Sequence, residues 1–494
     1  MNGTVKRLLA VILCLSLAFA CMAMPAAADE SIGITRVSCT VSGESSLSRG
    51  FCWYTPEKCG SDVQLVSEAD FSGTFENAET FSSCLCYEFR GQFCHKVTAD
   101  GLDAGTKYFY RVGDAGADIW SDTGSFVTDD GDNSFSFITI ADIQASNDAG
   151  FAYAAGTLRA AMNTLPQSEF TVNLGDFVND NTNEEWDSYF KNFAFGNMSS
   201  TLVPVTGNHD GNITNKLNVN VFNSMFNLSN PDTDSATNWV NGVYYSFDYG
   251  NAHFAVLNTN DMYPMTQSQR NWLVNDMRSS SADWKFVFMH RAAYSEGKNI
   301  NKPDTIVMRD VLIPLFDELD IDVVYAGHDH AYYRSVPVKG DRAVDNVTYV
   351  TEIYNGEEIS FAYNPGGTVH VLPATAGTKR YSVGDAIYPI PQNCACCFST
   401  KDLGGCFLTT EISGDKLIMK SYLVDDETQE ISLIDSYAIK KDLGQNSARR
   451  SILLTDNITN SLSFVLNFVH AIIDMLYRYS FVLLPQTVFR ALGN

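Results

Sequence analysis

The sequence predicts an all-β sandwich followed by an α/β domain whose largely parallel strands are buried on both faces. Three observations carry this. Residues 31–128 run as short alternating apolar and polar stretches between Gly, Asp and Pro, with no sustained helical period. From Asp132 the pattern changes to strand, helix, strand, helix. Apolar residues make up 45% of the 494 residues and charged residues 18%, enough to bury real cores.

The chain opens on "MNGTVKRLLAVILCLSLAFACMAMPAAADE". Lys6 and Arg7, an apolar run and small residues predict a secretory signal over residues 1–28, and Cys21 offers a lipoprotein cysteine as the rival reading. In the next segment "GFCWYTP", "FCHKVTADGL", "TKYFYRVGD" and "WSDTGSFVT" read as strands of a sandwich of the fibronectin type III kind. It holds no evident set of acids and bases, so a positioning role is expected of it.

The α/β domain is expected over residues 132–405. Its strands are "FSFITIAD", "FTVNLGD", "LVPVTGNHD", "AHFAVLNT", "WKFVFMH" and "DVVYAGH". Helical stretches separate them, among them "AGFAYAAGTLRAAMNTL" and "TQSQRNWLVNDMRSS". Such alternation builds a parallel sheet covered on both faces. Residues 406–441 return to strands and are expected to pack on this domain as a small β segment. Residues 447–494 are apolar, but Ser463, Asn467, His470, Asp474 and Arg478 form a polar stripe at helical spacing. An amphipathic helical tail is expected there, serving as a membrane-surface anchor or dimer contact, or folded back on its own domain.

Charge and cysteines bound the function. With 58 Asp+Glu against 33 Lys+Arg the net charge is −25, which disfavours nucleic acid as a partner, nucleotides as substrates excepted. An anionic substrate has to be drawn in locally, by metal ions or a few basic groups. Ten of the 12 cysteines follow residue 28, in an early cluster (Cys39, Cys52, Cys59, Cys84, Cys86, Cys94) and a late one (Cys394, Cys396, Cys397, Cys406). Disulfides within each cluster are expected of an exported chain, with zinc the rival for "CACCFSTKDLGGC".

Five strand ends of the α/β domain carry metal-ligand side chains: Asp142, Asp176, Asn208 with His209 and Asp210, His290, and His328 with His330. Four of the eight histidines fall there. One strand-end Asp is ordinarily a turn former or helix cap, and one histidine is ordinarily satisfied by hydrogen bonds. Five such ends with oxygen and nitrogen donors point to metal, because loops beyond the carboxyl ends of strands build the site in open α/β sheets. Two cations about 3.5–4 Å apart need a bridging carboxylate, and imidazole with carboxylate suits zinc, iron or manganese. Gly175, Gly207 and Gly327 are expected to turn the backbone sharply beside the metals.

The ordered set Asp142, "GD" 175–176, "GNHD" 207–210, "VFMH" 287–290 and "GHDH" 327–330 resembles the calcineurin-like metallophosphoesterases. The preceding sandwich, "GHDHAYYRS" and the closing β segment resemble the purple acid phosphatase branch. The resemblance implies an αββα sandwich with a dimetal site at the sheet edge. It implies metal one on Asp142, Asp176 and His330, and metal two on Asp176, Asn208, His290 and His328, with Asp176 bridging. It implies that Asp329 points away, and that His209, paired with Asp210, is the general acid. Two positions depart from the family. Asn179 stands where purple enzymes have a tyrosine, so no purple colour is predicted. Gln144 stands where other branches have a histidine, and it either ligates metal one or hydrogen-bonds there. The metals are iron, manganese, zinc or magnesium.

The expected function is an exported dimetal phosphohydrolase, a phosphomonoesterase first and a phosphodiesterase second. A non-catalytic cell-surface binding protein is the alternative of another class. Arg291, Tyr294 and Lys298 are candidates to contact phosphate, and Arg334 is a candidate for added positive charge. His95, His253 and His370 are expected to be structural.

Overall fold

The computed structural model describes residues 33–42, 46–210, 221–229, 243–260, 265–384 and 390–444. The expected signal over 1–28 and the helical tail over 447–494 lie outside the described residues. Among the described residues no helix is long and apolar enough to cross a membrane.

The N-terminal unit is a two-sheet sandwich. One sheet orders Thr35–Val41, Arg49–Thr55, Gln92–Ala99 and Cys86–Phe89. The other orders Glu79–Ser82, Asp62–Ser67, Lys107–Asp114 and Ile119–Trp120, with Gly124–Val127 also paired to Lys107–Asp114. Strand Arg49–Thr55 is buried at every position. The two-residue period of a strand explains why. Phe51 and Trp53 face the sandwich core with Val63, Leu65 and Tyr110, while Cys52 and Tyr54 face the core of the α/β domain.

The α/β domain stacks two sheets face to face. Strands Ser134–Ile140, Phe170–Asn173 and Thr201–Pro204 run parallel in the first. Strands Ala252–Leu257, Trp284–Arg291, Val323–Gly327 and Val369–Pro373 run parallel in the second. Alternation again sorts the second sheet's side chains. Phe254, Phe286, Phe288 and Tyr325 point between the sheets, where Phe137 meets Phe288 and Tyr325 edge-on at 5.8 and 5.7 Å. Ala255, Val287, Met289 and Val324 point outward, under helix Pro303–Glu318 through Met308, Leu312 and Phe316. Helix Asp148–Thr164 packs on strands Ser134–Ile140 and Gly404–Ser413 of the first sheet and on helix Asn183–Ser199. Both helices begin where the sequence supplies caps. The Asn147 side chain accepts from Gly150 N, and Thr182 with Glu185 makes a capping box.

Two features differ from the sequence expectation. The closing segment does not lie against the domain as a separate element. Strand Gly404–Ser413 pairs antiparallel with Ser134–Ile140, and Lys416–Asp425 and Ile431–Lys440 extend the same sheet. The sandwich is likewise joined edge to edge, since Thr35–Val41 pairs parallel with Thr201–Pro204 at Thr40 and Leu202. One twelve-stranded sheet therefore spans the N-terminal unit, the α/β domain and the closing segment.

Candidate metal centre

The carboxyl ends of the two sheets meet at one point. From the first sheet come Asp142, Asp176 and the 207–210 turn; from the second come His290, His328 and His330. His290 Nδ1 reaches Leu174 O at 2.8 Å, and His328 N donates to Asp142 Oδ1 at 2.9 Å, so bonds cross between the sheets here. The backbone is left-handed at Asp142, Gln144, Asp176, His328 and His330, with φ from 37° to 74°. That region is costly for non-glycine residues and is found where a site over-determines the backbone.

Of the three glycines expected to turn the backbone sharply, Gly175 does so. Its φ is 95°, but Gly207 and Gly327 are not left-handed. A Cβ on Gly207 would stand 1.9 Å from Asp176 N, and one on Gly327 would stand 2.9 Å from Asp142 Oδ2. They are glycine because the carboxylates lie against them; the sharp turns are made by the ligand-type residues themselves.

Two groups of ligand atoms result. Asp176, His290 and His328 form one; Asp142, Asp176 and His330 form the other. Asp176 is common to both. Asn208 Oδ1 stands 3.1 Å from His290 Nε2, beside the first group. The imidazoles are oriented by carbonyls: His290 Nδ1–H is held by Leu174 and His330 Nδ1–H by Lys379. Their Nε2 atoms therefore face inward, toward Asp176 Oδ2 at 3.3 Å and Asp142 Oδ1 at 3.5 Å. His328 Nδ1 lies 3.3 Å from His290 Nε2.

The buried groups of the centre shift one another's protonation. Burial pushes the Asp142 carboxyl well above its ordinary range, His290 opposes this, and Asp176 adds to it. Burial also raises Asp176, but His290, His209 and His328 outweigh it and hold that carboxyl low. Burial disfavours the imidazolium of His290, yet Asp176 and Asp142 raise it to about 9. Burial takes His330 down to about 3 and His328 well below its ordinary value. A cation would let the buried Asp142 ionise beside the neutral His328 and His330, and would take the place of the His290 proton against Asp176. Gln144 Oε1 and His328 Nε2 are buried with no hydrogen-bond partner. A divalent ion fits the first vacancy in bonding, since an amide oxygen is a ready oxygen donor.

Asp210 is not the partner of His209. Its carboxylate accepts from Gly207 N at 2.7 Å, Phe177 N at 2.8 Å, Asp176 N at 2.9 Å and Val178 N at 3.3 Å. It ties the "GD" turn to the "GNHD" turn. His209 Nδ1 instead meets Asn179 O at 2.5 Å, so that nitrogen carries its hydrogen. Nε2 then accepts from the Gln144 amide nitrogen, 2.5 Å away. His209 N also donates to Asp176 Oδ1 at 2.8 Å.

Of the other candidates, Lys298 and Arg291 come near the centre, Arg291 close enough for its charge to act on His328. Lys298 Nζ sits 3.6 Å above the Tyr381 ring, which stacks on His330 at 4.4 Å. Arg291 is paired with Asp304 at 2.8 Å. Tyr294 is buried against His370, with its hydroxyl on Gly340 O at 3.1 Å. Arg334 is forked onto Asp435 at 2.6 and 3.2 Å. Asp329 points away from the ligand atoms, into the 295–299 loop. The ten described cysteines are free thiols, with Cys52 and Cys94 Sγ 3.8 Å apart.

Sequence reasoning missed the segment Ala374–Tyr381, which walls this side of the centre. Thr375 Oγ1 donates to Asp142 O at 2.7 Å, Ala376 N to Ala141 O at 2.8 Å, and a Cβ on Gly377 would strike Ile143 O at 2.3 Å. The signal was "GTKRY", two adjacent basic residues straight after an apolar strand in a strongly acidic chain.

Residues 34–128 match the purple acid phosphatase N-terminal domain, and residues 135–332 match the calcineurin-like phosphoesterase family. The chain joins these two domains. Purple acid phosphatase 21 of Arabidopsis thaliana is 27% identical over 264 residues, 50% of this chain and 55% of that one. An uncharacterised protein of Mycobacterium tuberculosis is 28% identical over 223 residues, 42% of this chain and 41% of the other. The chain thus spans about two-fifths to just over half the length of these curated relatives. Among solved structures, a purple acid phosphatase from yellow lupin seeds superposes with a TM-score of 0.64 at 15% identity, covering 83% of this chain and 75% of that one. This likeness shows a shared fold, so the αββα expectation of the calcineurin-like domain and the all-β domain before it are both borne out.

Proposed function

We propose that the protein is a metal-dependent phosphoric ester hydrolase acting first on phosphomonoesters. The observation that carries this is Asp176, shared by two ligand groups at the meeting point of two sheets. Asp142 and His330 would hold metal one, with Gln144 Oε1 as a further donor. Asn208, His290 and His328 would hold metal two, and Asp176 would bridge. Metals of the iron, manganese, zinc or magnesium kind supply an activated water and polarise the phosphoryl oxygens. The protein's own part is to place and dry the site. The carbonyls of Leu174 and Lys379 fix two imidazoles by their Nδ1–H, and Asp210 holds two turns in register through backbone amides.

His209 is the proposed general acid. Asn179 O fixes its Nδ1–H, so the proton it moves is at Nε2, on the side of the centre. When Nε2 is protonated the Gln144 amide presents its oxygen to it, so Gln144 then serves His209 and leaves metal one to Asp142, Asp176 and His330. The test is hydrolysis of an aryl phosphomonoester and its bis-aryl diester, after metal stripping and readdition, beside Asp176→Asn. Monoester turnover that needs metal and is lost in Asp176→Asn supports the reading. A diester preference makes the protein a phosphodiesterase on the same site, and no turnover with any metal refutes a hydrolase.

We also infer export, from the basic, apolar and small-residue order of residues 1–28. Fractionation of expressing cells, with N-terminal sequencing of the exported chain, checks this; a chain retained inside with residue 1 intact contradicts it.

A further inference from the structure

The Ala374–Tyr381 wall is gripped by a clamp built from three separate elements. Arg380 sits between the two residues that touch His330. The Lys379 carbonyl accepts from His330 Nδ1, Tyr381 stacks on the imidazole at 4.4 Å, and Tyr381 N donates to His330 O at 3.3 Å. The Arg380 guanidinium goes elsewhere. It forks onto the Asp426 carboxylate, Nη1 to Oδ2 at 2.6 Å and Nη2 to Oδ1 at 3.1 Å. Tyr153, on helix Asp148–Thr164, closes the triangle. Its hydroxyl donates to Asp426 Oδ1 and accepts from Arg380 Nη2, and its ring centroid lies 5.5 Å from the guanidinium carbon. The Arg380 side chain is 8% exposed, so this forked pair is better shielded from water than an ordinary surface ion pair.

Asp426 stands in the hairpin turn between strands Lys416–Asp425 and Ile431–Lys440. That turn is itself fixed. Asp426 N donates to Leu403 O at 2.8 Å, and the Asp425 carboxylate accepts from Glu427 N at 2.9 Å and Thr428 N at 2.8 Å. The start of the wall has ties of its own, Thr157 Oγ1 to Ala376 O at 3.0 Å and Cys406 N to Thr375 O at 2.8 Å. Over residues 378–381, among the described residues, the hydrogen bonds to partners other than His330 are the Arg380 clamp and the Ser399 hydroxyl on Tyr381 O at 2.7 Å. A carbonyl orients an imidazole only when the carbonyl is the more firmly held of the two, and the clamp supplies that hold for Lys379 O. His290 is oriented differently, by Leu174 O of the first sheet, which the clamp does not touch. The wall and the hairpin both follow residues 135–332, the part matched to the calcineurin-like family.

We propose that Arg380, Asp426 and Tyr153 are positioning residues for metal one. Through the wall they hold His330 with its Nε2 toward Asp142, so the closing hairpin sets the affinity of one of the two ions and leaves the other alone. This rests on the dimetal hydrolase reading. The clamp side chains act through Lys379 O and Tyr381, and none of them is a ligand.

The test is equilibrium dialysis of the metal-stripped full-length chain against manganese(II), reading the dissociation constant of each bound equivalent. Arg380→Gln and Asp426→Asn are each expected to weaken one equivalent about 10-fold or more and to leave the other within about threefold, as for loss of an outer partner of a metal ligand. Tyr153→Phe, which keeps the ring, is expected to weaken the same equivalent about threefold. His330→Ala identifies that equivalent as metal one. In the His330→Ala background Arg380→Gln is expected to change nothing further, because the clamp acts through His330. A merely structural role would weaken both equivalents together and would persist in the His330→Ala background, and either result overturns the proposal. Unchanged constants in both Arg380→Gln and Asp426→Asn also overturn it. Asp426 lies in a partly exposed turn, so Asp426→Asn judges the clamp even if Arg380→Gln fails to fold. A wild type that binds fewer than two equivalents overturns the dimetal reading itself, whereas two equivalents indifferent to the clamp overturn the positioning role alone.

Discussion

At the scale of single residues, Asp142, Asp176, His328 and His330 sit in left-handed backbone, and glycines with no room for a methyl group lie against Asp142 and Asp176. Gly207→Ala is the sharpest steric probe, since its Cβ would fall 1.9 Å from Asp176 N. The variant is expected to lose at least about 2 kcal/mol of stability, as overpacked sites do, and to bind metal poorly. Thermal unfolding with and without added metal reads both, and a variant as stable and metal-responsive as wild type would contradict the packing. His209→Ala is expected to slow hydrolysis of alkyl phosphates about 10²–10⁴-fold while sparing esters with highly acidic phenols, because only a poor leaving group needs a proton. Equal losses on both esters would remove His209 from that role. These positions were legible in the sequence because strand-end Asp, Asn and His are chemically conspicuous. That His209 does not pair with Asp210, contrary to expectation, was not legible. Adjacent residues in a turn point different ways, and Asp210 is consumed by four backbone amides that only the folded turns bring to it.

At the scale of elements, His253 links hairpin Tyr245–Leu257 to helix Gln267–Ser279. It bonds Asp248 at 2.7 Å and Asp276 at 2.9 Å. Burial works against the imidazolium, but the two carboxylates outweigh it and raise it to about 9 from an ordinary 6.5. A raised pKa stabilises the folded state fully below the unfolded value and loses that contribution as pH rises from about 6.5 through about 9. With Asp248 largely exposed, the contribution is on the order of 1–2 kcal/mol. His253→Gln should therefore flatten the fall in stability between pH 6.5 and 9, as measured by denaturant midpoints; an unchanged slope would contradict the account. The strands and helices carrying the site were read from their periods. The wall at Ala374–Tyr381 was not, because the Asp142 and Ala141 carbonyls that it bonds, through the Thr375 hydroxyl and Ala376 N, lie more than 200 residues away in sequence and leave no local pattern.

At the scale of the whole molecule, the sandwich is not a detachable front end. It shares a sheet with the α/β domain, and Arg36 reaches Asp187 at 2.7 Å. Arg49 is 1% exposed and bonds Thr201 Oγ1 at 3.0 Å. Tyr54 donates to Ser224 O at 2.8 Å, in the short helix after the "GNHD" turn. Calorimetry is expected to show one cooperative transition, and two separated transitions would contradict a continuous sheet. The domain succession was legible from the change of hydrophobic period near residue 132. Edge-to-edge joining was not, because a single parallel pairing between distant strands has no signature in either one. The measurement that bears most directly on the central claim is metal content per chain of wild type and Asp176→Asn after loading and desalting. Two equivalents in the wild type and one or none in Asp176→Asn are expected of a carboxylate that bridges two ions. One equivalent or none in the wild type, or two in both, would contradict a dimetal centre built on Asp176.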